Sequence, residues 1–75
     1  MNTGNKILSK AKIVVTFIKG EDIVDKTFDT ESTTKVSFEN QCLVLFEQVK
    51  NGEEFTVFFI MPMMRLVSVE VEEGK

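Results

Sequence analysis

The chain has 75 residues, 43% hydrophobic and 28% charged, with a formal net charge of −3. A single Cys and no His, Trp or Tyr exclude an internal disulfide, a Ser–His–Asp triad, an imidazole base and an ordinary zinc site. The length allows one small domain, and 9 basic against 12 acidic residues lack the positive excess of a nucleic-acid binder.

Residues 1–10 are expected to be a flexible arm, with too few apolar positions to anchor it. They lack the apolar core of a secretory leader, and no stretch approaches the roughly 18 apolar residues of a membrane span. A reduced, cytoplasmic setting without membrane contact is the expectation.

From Ala11 the sequence reads as strands. Ile13, Val15 and Phe17 alternate with Val14, Thr16 and Ile18. In Lys19-Gly20-Glu21-Asp22 the Gly stands first in a two-residue loop, the pattern of a type II′ turn. That register sets Lys19 opposite Asp22, Phe17 opposite Val24 and Ile13 opposite Phe28. Residues 29–34 are polar and read as a loop, and residues 35–39 form a short strand with Val36 and Phe38 on one face. Asn40-Gln41 turns the chain into a strand over 42–49.

Asn51-Gly52 suits a type I′ turn, because both residues tolerate positive φ. A two-residue loop there pairs Lys50 with Glu53, Phe46 with Val57, Val44 with Phe59 and Leu45 with Phe58. It also places Cys42 opposite Met61. The strand over 54–61 closes at Pro62, which cannot donate to a ladder. Residues 61–65 make a tight connection read as one 3₁₀ turn. Residues 66–72 then alternate Val67, Val69 and Val71 with Ser68 and Glu70, leaving 73–75 as a tail. The expected fold is all-β: one domain over 11–72, a small five- to six-stranded antiparallel meander closing into a barrel or a strongly bent sheet. Closure would remove the open edges that invite aggregation.

The apolar strand Phe55-Thr56-Val57-Phe58-Phe59-Ile60, the connector Met61-Pro62-Met63-Met64-Arg65 and the last strand Leu66-Val67-Ser68-Val69-Glu70-Val71 resemble the ending of Sm-like and Src-homology-type barrels. The pattern from Lys12-Ile13-Val14-Val15 onward is also similar to short proteins of Gram-positive phages and plasmids. The resemblance implies a small five-stranded barrel and, by analogy with the phage proteins, a regulator or inhibitor of a host protein. An Sm-like protein would open with a helix and carry a Gly-rich RNA-contacting motif before its last strand. The connector here has no Gly, so RNA binding is not implied.

A half-solvated sheet should be apolar on one face and polar on the other. Here Val44, Phe46, Phe55, Val57 and Phe59 fall on one face, while Leu43, Leu45, Phe58 and Ile60 fall on the opposite one, which Val14, Ile18 and Ile23 of the first hairpin would extend. A domain this small has core enough for one. The other is expected to be covered by a bent-over sheet, by the N-terminal arm or by another molecule. Leu43, Leu45, Phe58, Ile60, Met63, Met64 and Leu66 are therefore the candidate interface, for a homo-oligomer or a protein partner.

The residues offer little chemistry. Cys42 has no His to activate it and reads as a small hydrophobe in an apolar strand. Met61, Met63 and Met64 near Cys42 have soft-ligand character but read as a flexible apolar loop rather than a metal site. Asp22, Asp25, Asp29 and Glu31, like Glu70, Glu72 and Glu73, are spaced as surface charge. Lys6, Lys10 and Lys12 form a basic stretch that could meet phosphate, an acidic partner or the acidic end of a neighbouring copy. The leading expectation is a non-enzymatic interaction protein without a cofactor, self-associating or docking on a larger protein. The alternative is a barrel that sequesters a small ligand or nucleotide between protomers, with Lys19, Lys26 and Arg65 as phosphate contacts.

Overall fold

A computed structural model describes residues 5–49 and 53–74, with side chains from Lys6 onward. The described chain is all-β. Its strands are β1 (Asn5–Leu8), β2 (Ala11–Lys19), β3 (Asp22–Thr30), β4 (Thr34–Glu39), β5 (Cys42–Gln48), β6 (Phe55–Pro62) and β7 (Leu66–Glu73), with one 3₁₀ turn, Met63–Arg65, between the last two. They form two antiparallel sheets, one in the order β1-β4-β5-β6 and the other in the order β3-β2-β7. The chain passes between sheets at Ser9-Lys10, at residues 31–33 and at the 3₁₀ turn.

The first hairpin follows its sequence. Lys19 pairs with Asp22, Phe17 with Val24 and Ile13 with Phe28, and Gly20 takes φ +65°. Neighbouring Glu21 is not among the positive-φ residues, as a type II′ turn requires. The β4–β5 turn is also two residues long, with Glu39 opposite Cys42 and both Asn40 (φ 52°) and Gln41 (φ 61°) left-handed. That is type I′ geometry. The turn expected at Asn51-Gly52, and the Lys50–Glu53 pair beside it, lie outside the described residues. The Val49 N–H donates to the Glu54 carbonyl at 2.9 Å, and Gln48 pairs with Phe55.

Three expectations are corrected. Residues 5–8 are an edge strand on β4, held by Leu8, which is buried in the core. Half of the polar stretch over 29–34 is strand, and only residues 31–33 connect β3 to β4. Buried Thr34 is the reason β4 can begin there. Its Oγ1 lies 2.7 Å from Thr30 Oγ1 and 2.9 Å from the Ser32 carbonyl, so a hydroxyl taken out of water keeps its hydrogen bonds.

The third correction concerns the β5–β6 pairing. Phe46 faces Val57 as expected, but Leu45 faces Phe59, Val44 faces Ile60 and Cys42 faces Pro62. The register shifts at a β-bulge, with Phe58 the extra residue. A strict alternation would send Phe58 and Phe59 to opposite faces. The bulge instead lets both pack against the core.

That core lies between the sheets. Leu8, Val36, Leu43, Leu45 and Met61 come from the four-stranded sheet, and Ala11, Ile13 and Val15 from the three-stranded one. Phe17, Phe28, Phe58, Phe59, Leu66, Val69 and Val71 pack around them. Phe28 joins the layers, its ring centroid 5.3 Å from Phe58 and 4.9 Å from Phe59 in tilted geometries that suit the aromatic quadrupole. A second bulge, in β7 between the partners of Thr16 and Phe17, leaves Val67 unpaired and sends Leu66 inward.

Candidate functional site

The outer face of the four-stranded sheet is built from alternate residues of each strand. Because Val36 and Phe38 pair with Leu45 and Leu43, the residues between them, Lys35, Ser37 and Glu39, share the opposite face with Cys42, Val44 and Phe46. The ladders add Ile7 from β1 and Phe55, Val57 and Ile60 from β6. Ile7 is 61% exposed, Val57 42% and Ile60 54%. Scattered apolar residues are normal on a protein surface, but Val57 and Ile60 flank Phe46 and Val44 of β5, while Ile7 stands apart on the opposite edge strand beside Lys35.

Polar groups on this face are fixed in place. The Lys35 ammonium sits 4.3 Å from the Phe46 ring centroid and 5.4 Å from that of Phe55, a cation–π arrangement at one end of the face. At the other end the buried Ser37 hydroxyl donates to Glu39 Oε2 at 2.7 Å, a charge-assisted bond that orients the carboxylate along the same face.

A hollow of about 670 Å³ adjoins the Glu39 end, lined by Phe38, Glu39, Asn40, Gln41, Cys42, Pro62, Met63 and Met64. The type I′ turn and the 3₁₀ turn frame it, joined where the Met63 N–H donates to the Gln41 carbonyl at 2.9 Å. Met64 projects almost freely, at 88% exposure. Glu39, Cys42 and Pro62 belong to both the hollow and the outer face.

The sequence-predicted interface residues divide. Leu43 and Leu45 are fully buried between the sheets and present no surface, whereas Phe58 and Leu66 pack against the same core and keep only part of their side chains exposed, away from the outer face. Ile60 lies on the outer face, and Met63 and Met64 line the hollow. Ile7, Lys35, Glu39, Phe46, Phe55 and Val57 complete the surface around the buried Val44 and are not among the residues expected there. Of the soft-ligand group, Met61 faces the core, apart from Cys42, Met63 and Met64.

The suggested phosphate contacts are spread out. Lys19 ends β2, Arg65 stands exposed in the 3₁₀ turn, and Lys26 rises over the Phe28 ring at 5.8 Å. The described hollows are lined by other residues. Lys12 is met within its own sheet, facing Asp29 on β3 and Glu72 on β7, and Ser9 donates to Glu73 at 3.3 Å. Of the opposite charges considered for a head-to-tail contact between copies, Lys12 and Glu72 are thus neighbours within one chain, whereas Lys6 lies on the other sheet beside Val36. Among the described residues no cluster of three His, Cys, Asp or Glu could hold a metal, and no helix is long and apolar enough to cross a membrane. No family model, curated protein or solved structure matches this chain.

Proposed function

We infer that the protein is a non-enzymatic interaction module that docks through the outer face of its four-stranded sheet. The observation carrying this reading is the second apolar face itself. With one layer of core already formed between the sheets, the exposed Val57 and Ile60 and the half-buried Phe46 and Phe55 lie outside that cluster, yet they sit side by side around a buried Val44. Covering such a patch with a partner would remove apolar surface from water at roughly 25 cal/mol per Å². A chain without a disulfide and with few core residues gains more from that than a large domain would.

The short sheet-to-sheet passages favour treating the two sheets as one strongly bent, barrel-like body, as the resemblance to small barrels implies. On that resemblance a host protein would be one natural partner, and the same face would serve a regulator or inhibitor.

The test combines native mass with binding of an environment-sensitive apolar dye over a dilution series. The native chain should either associate through this face or bind dye on it. The Val57→Lys/Ile60→Lys double variant should be folded, monomeric and silent to dye. A native chain that is both monomeric and dye-silent would contradict the reading.

A further inference from the structure

We propose that the occupant of the outer face is a second copy of this chain, packed face to face about a two-fold axis that runs across the strands at the level of Ser37, Val44 and Ile60. The proposal rests on the interaction reading above and adds the partner and its register. Ser37, Val44 and Ile60 form one cross-strand row, in which Ser37 and Val44 are buried and Ile60 is exposed. The axis therefore passes over neighbouring positions on three strands, and its contact residues are Ile60 and the flanking side chains.

Rotation about such an axis reverses the strand direction while keeping the strand order. It lays Lys35 of one copy over Glu39 of the other, and Glu39 over Lys35, with the exposed Ile60 meeting Ile60 and the buried Ser37 and Val44 lying beneath the contact. The side chains already point the right way: Lys35 is held over Phe46 and Phe55, and Glu39 is held by Ser37 on the same face. Self-complementary charge is what an isologous interface demands, because each residue contacts the symmetry partner of its own contact. An axis running along the strands lacks this property. It would set Glu39 over Cys42 and Lys35 over Phe46, leaving the carboxylate without a cation.

Shape supports the same axis. The Lys35 end of the face carries the bulk, in Phe46 and Phe55, whereas the Glu39 end carries Cys42 and Pro62 and borders the hollow. The crosswise two-fold brings the bulky end of each copy to the open end of the other, Phe46 over Cys42 and Val57 over Pro62. Four strands about 4.8 Å apart and about five residues long at 3.4 Å each give a footprint of about 19 by 17 Å. That is small beside the roughly 800 Å² of accessible surface that each partner buries in a standard interface. A reversible, micromolar pairing follows rather than an obligate dimer.

Sedimentation equilibrium on the full chain tests this with Lys35→Glu, Glu39→Lys, an equimolar mixture of the two, and the Lys35→Glu/Glu39→Lys double variant. The native chain should dimerise, and each single variant, faulted at both symmetric contacts, should raise the dissociation constant about tenfold or more. In the mixture each copy supplies the charge the other lost, so the mixed dimer and the double variant should return to within about threefold of native. Recovery in the mixture also shows that the single variants are folded.

A dimer indifferent to these charges overturns the register, and so do single variants weakened without recovery on mixing. A native monomer that binds dye in a Val57- and Ile60-dependent way overturns the self-pairing but leaves the interaction reading standing. A native monomer that becomes dye-responsive only after removal of residues 1–4 assigns the face to the chain's own N-terminus and overturns the self-pairing as well.

Discussion

At Gln41 an amide side chain occupies a backbone conformation that glycine adopts freely, φ 61°, directly after Asn40 at φ 52°. Asn tolerates the left-handed region because its short side chain can bond locally, whereas Gln gains no such relief. Gln41→Gly should therefore raise stability by about 0.5–1 kcal/mol, a few degrees in a thermal melt of a chain this size. A lower melting temperature would show that the Gln side chain makes up for the strain. Thr34 acts in the opposite sense. Its hydroxyl is fully buried, bonded to Thr30 and Ser32, and Thr30 in turn accepts from the Ala11 N–H at 3.0 Å. Thr34→Val leaves those partners short of a hydrogen bond and should destabilise by about 1–3 kcal/mol in urea unfolding. An unchanged midpoint would mean that water replaces the hydroxyl.

Strands and their pairings divide the molecule into what the sequence spells out locally and what it does not. The first hairpin was legible to the residue because Gly20 dictates the loop and the alternation behind it is unbroken. The β5–β6 pairing was legible only as far as Phe46–Val57. Beyond that point the Phe58 bulge shifts the register by one residue, and nothing in Val57-Phe58-Phe59-Ile60 marks which apolar residue is the extra one. A one-residue slip exchanges faces, which is why Phe59 belongs to the core and Ile60 does not.

The inward face could still have been found, on β4 rather than β6. Lys35, Ser37 and Glu39 alternate with Val36 and Phe38, and the two-residue turn at Asn40-Gln41 carries that polarity onto β5, placing Leu43 and Leu45 inside. The edge strand β1 was harder to see, since Leu8 is its one fully committed core residue. Two substitutions check this assignment. Leu45→Ala should destabilise by about 2–5 kcal/mol, whereas Ile60→Ala, measured in dilute monomer, should change stability by less than about 0.5 kcal/mol. Equal losses at the two positions would contradict the face assignment.

For the molecule as a whole, two sheets enclose one core and leave a second apolar surface facing out. The extents of 41 × 26 × 20 Å fit two layers about 10 Å apart with their side chains. The outer face of the three-stranded sheet is more polar, with Thr16 bonded to Asp25 at 2.7 Å and Lys12 facing Asp29 and Glu72, although it also exposes the paired Ile18 and Ile23 at its hairpin end. The four-stranded sheet lacks that provision on β5 and β6. Its polar groups lie instead at the two ends of β4, where they can set the orientation of a partner without opposing its approach.

Native mass across a concentration series, for the wild type beside Val57→Lys/Ile60→Lys, probes this asymmetry most directly. The account predicts a wild type that passes from monomer to dimer in the micromolar range and a variant that stays monomeric with an undiminished melting temperature. A wild-type chain that remains monomeric and silent to apolar dye at every concentration, or a variant that associates as readily as the wild type, would contradict it.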